Sequence, residues 1–316
     1  MTEDPAMEAL FERIQCVAPT ESSVYINGET GTGKELLANA IHQLSPRKDG
    51  PFIALNCANL TDDLAESQLF GHTKGSFTGA TKDQPGFLSQ ADKGTLFLDE
   101  VVDLSPRVQS KLLRALQEQT FQPLGSTQSQ TFDTRVISAA ATPLRQAVAE
   151  GQFREDLFYR LNVIPLKLPP LRERHHDKPL LFRHFLSHYS AQQRKPREWL
   201  LSQALTDWIN SYPWPGNIRE LQNVCAFVSS CIPAHQLSID KTMLPEDILM
   251  GDQRIAANRQ ASIGCRRPAD ITRDELLAVL QRNNGNKAQT ARQLGISRMT
   301  LYRLLQQMEI DTEMTA

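Results

Sequence analysis

Over the first half of the chain, short apolar runs alternate with longer segments of helical periodicity. A crossover between parallel strands needs a helix, so this alternation favours a parallel sheet with helices on its faces. The pattern therefore predicts an α/β fold. The predicted strands are Ser23–Asn27, Phe52–Asn56, Thr95–Leu98 and Arg135–Ala139, and the clearest predicted helices are Glu35–Gln43 and Gln109–Gln117.

The pattern becomes helical from Pro169 to about Met250, without a convincing strand. This predicts a small all-helical domain. Residues 251–270 are polar and lack hydrophobic periodicity, so we expect them to form a linker. The predicted helices of the second domain are Lys178–Ser190, Ser202–Asn210 and Ile218–Ser230.

A third unit of three short helices is predicted after the linker. Thr272 and Glu275 form a capping box ahead of an apolar run that begins at Leu276, and Ser297 is positioned to cap Arg298–Met308. We therefore divide the chain into an α/β domain at 1–168, a helical domain at 169–250, a linker at 251–270 and a C-terminal domain at 271–316.

The composition is typical of a folded protein, with 40% hydrophobic and 22% charged residues among 316. A net charge of -2 means that any surface for nucleic acid is local. The five cysteines include no CxxC pair, no apolar stretch reaches ~18 residues, and the N-terminus lacks a secretion-signal pattern. We expect a cytoplasmic protein without a membrane span.

A glycine-rich segment between the first predicted strand and its helix fits GxxxxGK, the Walker A phosphate loop. Glycines let main-chain amides turn toward phosphate oxygens, the helix N-terminus favours an anion, and Lys34 reaches the β- and γ-phosphates of ATP. A glycine-rich turn without a ligand is the alternative, and the flanking strand and helix argue against it. The predicted ATP-binding residues are Gly28, Glu29, Thr30, Gly31, Thr32, Gly33, Lys34 and Glu35.

Two acids, Asp99 and Glu100, follow the apolar run that starts at Thr95. P-loop enzymes usually have Ser or Thr where this chain has Glu35, so the carboxylate for Mg²⁺ has to come from elsewhere. In a Walker B element, Asp99 would hold Mg²⁺ and Glu100 would polarise the attacking water. Solvated acids at an ordinary strand end are the alternative, which the preceding phosphate loop disfavours.

Between these two elements lies the segment Leu69–Ala80, which ends in GSFTGA. It resembles the GAFTGA loop of AAA+ activators of sigma-54 RNA polymerase, the bacterial enhancer-binding proteins, and the resemblance extends from Asp4 to Ile310. The glycines allow a tight, mobile hairpin that exposes Phe77 and Thr78 at its tip. The resemblance implies a moving loop that contacts sigma-54 through Gly75, Ser76, Phe77, Thr78, Gly79 and Ala80.

The resemblance also assigns residues around the nucleotide. Asn56 would switch Glu100 between engaged and disengaged positions, and Arg219 would face the nucleotide as sensor II. Arg154 and Arg160 match the arginine fingers that reach the γ-phosphate of a neighbouring subunit, which implies a ring, expected to be a hexamer. Surface salt bridges are the alternative for these two arginines.

The chain departs from the family pattern at the sensor I position, where Ala141 replaces the usual asparagine. Alanine has no side chain to hydrogen-bond the γ-phosphate, so either Thr142 substitutes or the coupling between hydrolysis and movement differs. Thr73, Ser76 and Ser89 also replace common family residues.

A second departure is that the chain opens almost at once on the ATPase, without the receiver or ligand-sensing domain of many relatives. We expect control by a separate regulatory protein, by expression level or by a partner subunit. A truncated chain would look the same.

Residues 286–303 have helix-turn-helix spacing and resemble the Fis-type domain that ends many such activators. Over 266–307 there are eight Lys/Arg against three Asp/Glu, so a basic surface is expected here. Fis-type domains dimerise, which implies a palindromic enhancer site; a three-helix dimerisation module is the alternative. The predicted DNA contacts are Ser297, Arg298, Thr300 and Arg303.

The leading interpretation is an ATP-driven activator that binds enhancer DNA, forms a ring and opens the closed promoter complex of sigma-54 RNA polymerase with its GSFTGA loop. The alternative is a DNA-binding regulator whose degenerate ATPase serves as a nucleotide-sensing assembly platform, which Ala141 favours. A third class, another AAA+ machine such as a replication loader, is disfavoured by the loop.

Overall fold

The computed structural model describes residues 2–58, 60–77, 80–192, 199–231, 238–246 and 248–249, together with Arg273, Leu276, Val279, Leu280, Asn283, Thr290 and Leu305. The chain forms two compact units, Met1–Met243 and Leu244–Ala316. The first unit contains the predicted ATP-binding residues and the second contains the predicted DNA contacts.

Strands and helices alternate through the described part of the first unit. The strands are β1 (Val24–Asn27), β2 (Phe52–Asn56), β3 (Gly71–His72), β4 (Gln84–Pro85), β5 (Thr95–Asp99), β6 (Thr120–Phe121), β7 (Gln130–Thr131), β8 (Arg135–Ala140), β9 (Ile164–Lys167), β10 (Leu200–Leu201) and β11 (Ser238–Ile239). The α-helices are α1 (Pro5–Val17), α2 (Lys34–Gln43), α3 (Asp62–Phe70), α4 (Phe87–Gln90), α5 (Pro106–Glu118), α6 (Leu144–Ala149), α7 (Glu155–Leu161), α8 (Asp177–Gln192), α9 (Gln203–Ser211) and α10 (Asn217–Cys231). None of the helices in the described residues is long and apolar enough to cross a membrane.

Five parallel strands form the central sheet in the order β2-β5-β8-β1-β9. The four predicted strands match β1, β2, β5 and β8 to within one residue at each end, so the α/β prediction is confirmed. The prediction missed β9, whose apolar run contains Pro165. Proline has no N–H to donate, and it is tolerated here because β9 lies at the edge of the sheet.

Both faces of the sheet are buried, which is why its strands are apolar without strict alternation. Leu96 and Leu98 of β5 belong to a core cluster that includes Leu112 of α5. Phe97, between them, belongs to the cluster on the opposite face with Ile41 of α2. Helices therefore pack on both faces of the sheet. Because the strands are parallel, the carboxyl ends of β1, β5 and β8 all lie at the same end of the strands.

Three helices, α8, α9 and α10, match the helices predicted after residue 169. Phe182 of α8 and Val224 of α10 are buried, and the two helices pack against each other. The expectation that this region lacks strands is wrong in one detail, because β10 and β11 pair in parallel. Two-residue strands offer too few positions for a period-two pattern to be visible.

In the second unit, the described residues Arg273, Leu276, Val279 and Leu280 are helical. The last three are buried and Arg273 is exposed, which is the pattern of one buried helix face. The predicted helix is confirmed at these positions, and the capping pair predicted for it lies outside the described residues.

A buried carboxylate ties the N-terminal residues to the start of α8. The oxygens of Asp177 accept hydrogen bonds from the Thr2 hydroxyl at 2.9 and 2.8 Å, from Glu3 N–H at 2.8 Å and from Arg174 Nε at 2.9 Å. Asp177 and Arg174 are both almost fully buried. Burial raises the pKa of Asp177, but these donors outweigh it, so the pKa lies below its ordinary value.

We predict that Asp177→Asn destabilises the first unit by about 3–5 kcal/mol, because the buried Arg174 guanidinium loses its counter-charge. Urea unfolding measures this, and exposed Asp49→Asn is the matched control, expected within about 0.5 kcal/mol of wild type. Since the folded-state pKa of Asp177 is depressed, its contribution is present above the unfolded pKa of about 3.9 and is lost as the pH falls through the folded value. An Asp177→Asn protein as stable as wild type at pH 7 contradicts this account.

Candidate active site

The Walker A segment forms the loop between β1 and α2. Gly31 and Gly33 have positive φ values of 81° and 99°, which glycine adopts without strain. A Cβ on Gly31 would lie 2.4 Å from the carbonyl oxygen of Gly216, so a larger residue has no room there. The loop leads into the N-terminus of α2, where free N–H groups and the helix dipole suit a phosphate.

Lys34, the first residue of α2, directs its side chain into the site and is 6% exposed. Its Nζ lies 3.1 Å from the carbonyl oxygen of Gly28 and 2.8 Å from Oε1 of Glu100. The ammonium group therefore joins the phosphate loop to the end of β5. An almost buried charge needs a partner, and Glu100 is that partner.

Glu100 is held at both carboxylate oxygens. Oε1 accepts from Lys34, and Oε2 accepts from the main-chain N–H of Ala141 at 2.9 Å. Its own N–H donates to Oδ1 of Asp99 at 3.1 Å, and its backbone is left-handed with φ 51°. The structure thus brings together the predicted Walker A lysine, the two Walker B acids and the sensor I position at the carboxyl ends of the parallel strands.

The two acids offer oxygen ligands to a cation. The pKa of Asp99 lies above its ordinary value, because burial and the charge of Glu100 raise it more than the charge of Lys34 lowers it. Across the residues that the structure describes, no group of three or more His, Cys, Asp or Glu is placed to hold a metal ion. This donor set fits Mg²⁺ at a nucleotide site, where one or two carboxylates bind with substrate phosphates and water.

Asn56 ends β2 and pairs in register with Asp99 on the adjacent strand. Its Oδ1 accepts the N–H of Ala58 at 2.9 Å, and the residue is exposed. No hydrogen bond between Asn56 and Glu100 occurs among the described residues. The residue predicted to switch Glu100 therefore lies on the neighbouring strand, without a hydrogen bond to its carboxylate.

The start of α10 lies directly on the phosphate loop. The N–H groups of Ile218 and Arg219 lie 2.9 and 3.3 Å from the carbonyl oxygen of Gly31. A Cβ on Gly31 would also lie 3.2 Å from Cβ of Arg219. Arg219, the residue predicted to face the nucleotide, is thus adjacent to the Walker A loop.

Asn217 is a loop-binding residue that sequence reasoning missed. Its Nδ2 donates to the Thr30 carbonyl oxygen at 3.0 Å and to Oε2 of Glu29 at 3.2 Å, and its Oδ1 accepts Leu171 N–H at 2.8 Å. It is buried and left-handed with φ 53°. An asparagine that follows a glycine before a helix is a turn signal, but these partners lie 46 to 188 positions away in the chain.

Arg172 reinforces this contact between the helical region and the loop. Its two terminal nitrogens donate to the two carboxylate oxygens of Glu29 at 2.8 and 2.6 Å. The hydrogen bond from Arg172 is the largest cause of a lowered pKa at Glu29. The Walker A loop is therefore bound by Arg172, which precedes α8, and by Asn217, which begins α10, as well as by the central sheet.

The GSFTGA loop is described at Gly75, Ser76, Phe77 and Ala80, and Thr78 and Gly79 lie outside the described residues. Gly75 N–H donates to the Ala80 carbonyl oxygen at 2.9 Å, and Ala80 N–H donates to the Phe77 carbonyl oxygen at 3.1 Å. Phe77 is 43% exposed, as predicted. Its ring makes a T-shaped contact with the ring of His72, with the two centroids 5.0 Å apart.

The base of this loop is attached to the segment between β6 and β7. Thr73 donates to the Leu124 carbonyl oxygen through its N–H at 3.0 Å and its hydroxyl at 3.2 Å. Ser89 donates to Gln130 at 3.0 Å. Of the three other departures from the family pattern, Thr73 therefore contacts this segment and Ser89 contacts the first residue of β7. The third, Ser76, has a buried hydroxyl without a hydrogen-bond partner in the described part of the chain.

The two predicted arginine fingers lie at the surface around α7. Arg154 pairs with Asp156 through Nε and Nη2 at 3.0 and 2.7 Å, and Arg160 donates to the Leu116 carbonyl oxygen at 2.6 Å. Both arginines are exposed. Neither hydrogen-bonds to a Walker A residue within the described ranges, which is the arrangement expected of groups that act on a neighbouring subunit.

The predicted DNA contacts Ser297, Arg298, Thr300 and Arg303 lie outside the described residues. Their assignment stays a prediction from the spacing and the charge of this segment.

Three family models match the chain in succession. They are the sigma-54 interaction domain at residues 1–167, the AAA+ ATPase lid domain at 172–261, and the Fis family of bacterial regulatory proteins at 267–308.

Curated relatives and a solved structure cover nearly the whole chain. The transcriptional regulatory protein ZraR of Klebsiella oxytoca is 44% identical over 305 residues, which are 95% of this chain and 66% of the relative. GlrR of Escherichia coli (strain K12) is 41% identical over 311 residues, 98% of this chain and 68% of the relative. NtrX from Brucella abortus, crystallised in complex with ATP, is 34% identical with a TM-score of 0.71, over 98% of this chain and 69% of that one. The chain thus spans about two thirds of the length of these proteins.

We predict that Asn217→Gly destabilises the first unit by about 1–3 kcal/mol, because the partners of the carboxamide lose their hydrogen bonds and one of them, the N–H of Leu171, is buried. Asn217→Ala is expected to cost about 1 kcal/mol more, since alanine also strains the left-handed backbone. Thermal and urea unfolding measure the difference, with exposed Asn210→Ala as the control. Equal stability of the glycine and alanine variants would rule out the backbone part of this explanation.

Proposed function

The chain belongs to the family of sigma-54-dependent transcriptional activators, and on that premise we propose that it hydrolyses ATP to remodel sigma-54 RNA polymerase at promoters. The family is one of AAA+ P-loop NTPases. The observation that carries the proposal is the cluster of Lys34, Asp99 and Glu100 beside the Walker A loop.

In the proposed reaction, water attacks the γ-phosphorus of ATP and the bond to the ADP oxygen breaks, which yields ADP and phosphate. Asp99 would hold Mg²⁺, and the ion, when bound, would supply positive charge to the phosphate oxygens. Lys34 turns from Glu100 to the β- and γ-phosphates, because the phosphates offer it a stronger counter-charge. Glu100, released from the ammonium group, then polarises the attacking water, and Arg219 binds phosphate from the lid.

The GSFTGA loop is the proposed contact with sigma-54. Its exposed Phe77 offers an aromatic ring to a partner. Through Thr73, the base of the loop is hydrogen-bonded to the segment between β6 and β7, which leads into β8 and the sensor I position. This connection supports a route by which a change at the nucleotide moves the loop.

The proposed active unit is a ring, with a hexamer as the expected form. Arg154 or Arg160 of one subunit would reach the γ-phosphate bound by the next and stabilise the charge that develops there. The exposure of both residues supports this proposal.

The C-terminal unit is proposed to bind enhancer DNA as a Fis-type dimer. In this scheme residues 1–168 are the α/β ATPase, 169–250 its helical lid, 251–270 a linker and 271–316 the DNA-binding domain. Because its proposed partners are RNA polymerase and DNA, the cytoplasm is the proposed location of its activity, and a separate protein is proposed to regulate it.

A second candidate function is a nucleotide-sensing platform without turnover. Two observations favour it: Ala141 lacks a sensor side chain, and Oε1 of Glu100 is bound to Lys34. Steady-state ATP hydrolysis separates the two functions, because a platform binds ATP without releasing phosphate.

We predict that Lys34→Ala abolishes both ATP hydrolysis and open-complex formation, since the phosphates lose their buried cation. Thr78→Ala is expected to keep at least about half of the ATPase rate, because Thr78 is not among the residues assigned to ATP binding or hydrolysis, yet to fail in opening the promoter. Phosphate release and a permanganate footprint of the promoter are the measurements. Normal promoter opening by Thr78→Ala contradicts the loop assignment, and ATP binding without turnover in wild type favours the platform.

A mixture of two inactive variants tests the ring. Lys34→Ala and Arg154→Ala are each expected to lose hydrolysis, whereas their equal mixture regains up to about a quarter of the wild-type rate, because random head-to-tail contacts reunite intact halves. The same experiment with Arg160→Ala shows which arginine is the finger. Exposed Arg13→Ala is the matched control. If both mixtures are as inactive as their components, neither arginine acts across subunits.

A further inference from the structure

The turn after β8 has no polar side chain at the sensor I position. The chain passes through Ala141 and Thr142 to reach α6 at Leu144. The main-chain oxygen of Thr142 accepts a hydrogen bond from the Tyr25 hydroxyl. The Thr142 hydroxyl has no hydrogen-bond partner among the described residues. The Thr142 hydroxyl thus makes no hydrogen bond to Glu100 in the described part of the chain, and the turn is held from the neighbouring strand β1.

The Tyr25 hydroxyl binds both ends of this turn. It donates to the Thr142 carbonyl oxygen and accepts from Leu144 N–H and Asn27 Nδ2, each at 3.3 Å. A phenol hydroxyl has one donor site and two acceptor sites, so all three are used. Because Tyr25 is only 4% exposed, water has little access to replace these partners.

Asn27 contacts the carbonyl groups of the two residues that precede Thr142. Its Nδ2 lies 3.2 Å from the Ala140 carbonyl oxygen and 3.4 Å from that of Ala141. The peptide bond is planar, so the carbonyl of Ala140 and the N–H of Ala141 share one rigid plane. Holding that carbonyl sets the direction of the Ala141 N–H.

The Ala141 N–H points at the Walker B glutamate. It donates to Oε2 of Glu100 at 2.9 Å. The pKa of Tyr25 lies above its ordinary value, with burial as the largest cause. The hydrogen bonds from Asn27 and Leu144 lower this pKa, and the nearby charge of Glu100 raises it. The hydroxyl, the turn and the carboxylate are thus neighbours in one network.

We propose that Tyr25 and Asn27 are positioning residues for hydrolysis: they orient the Ala141 N–H so that the main chain holds Glu100 in place of a sensor I side chain. The inference rests on the proposed ATPase function and adds to it the way in which a site with alanine at position 141 stays ordered. Lys34 leaves Glu100 when phosphate binds, whereas the Ala141 N–H stays and keeps the carboxylate aimed at the water.

The test compares Tyr25→Phe, Ala141→Asn and the double variant in the full chain, with Tyr189→Phe on α8 as the matched control. Phenylalanine packs like tyrosine and removes only the hydroxyl. We expect Tyr25→Phe to lower kcat about fivefold to tenfold, the rate equivalent of one neutral hydrogen bond. The KM for ATP and the affinity for a fluorescent ATP analogue are expected to stay within about twofold, because the Walker A contacts are unchanged.

The double variant separates positioning from packing. An asparagine at 141 carries its own amide donor, so Tyr25→Phe with Ala141→Asn is expected to recover most of the lost kcat, whereas lost packing is not restored from position 141. Asn27→Ala is the second probe and is expected to lower kcat in the same direction. Rates are referred to the number of sites that bind the analogue, so partial unfolding does not imitate the effect.

Three results overturn the inference while the proposed ATPase function stands: unchanged kcat in Tyr25→Phe and Asn27→Ala, a loss of kcat matched by an equal rise in KM, or no recovery in the double variant. Absence of turnover in wild type overturns the ATPase function and the inference together. The two failures are therefore distinguishable in one set of assays.

Discussion

One buried ammonium group organises the candidate site. Lys34 carries a positive charge that is almost withdrawn from solvent, and Glu100 balances it at 2.8 Å. A buried ion pair is favourable only when its remaining polar atoms are also satisfied, and the Ala141 N–H does this for the second carboxylate oxygen. These residues come from the start of α2, the end of β5 and the end of β8. The pairing therefore depends on the sheet order in which β5, β8 and β1 are neighbours.

The phosphate loop is bound from a second direction by the helical region. Gly31 has no Cβ, so Gly216 approaches it closely, and Asn217 holds the carbonyl oxygen of Thr30. Arg172 binds the Glu29 carboxylate with two nitrogens. A loop held both by the sheet and by the lid changes shape only if one of those contacts changes too. In the proposed function, nucleotide binding and the position of the helical region would therefore be linked through these hydrogen bonds.

The central strands, the Walker A loop and the Asp99–Glu100 pair were predictable from sequence because their signals are local: apolar runs, glycine spacing and a strand that ends in acids. Strand β9 was missed because Pro165 is acceptable only at a sheet edge, which is a property of the assembled sheet. Asn217 and Tyr25 could not be found because their partners lie far away in the chain. The resemblance identified Ala141 as a departure, and only the structure shows its N–H on Glu100.

The contact between Ala141 and Glu100 has a consequence for how such chains vary. A main-chain N–H is present in every residue except proline, so position 141 tolerates side-chain replacement as long as the turn keeps its place. The constraint passes instead to the tyrosine and asparagine of β1 that hold the turn. In related chains that lack an asparagine at the sensor position, we therefore expect a hydroxyl-bearing residue at the position of Tyr25 on the first strand.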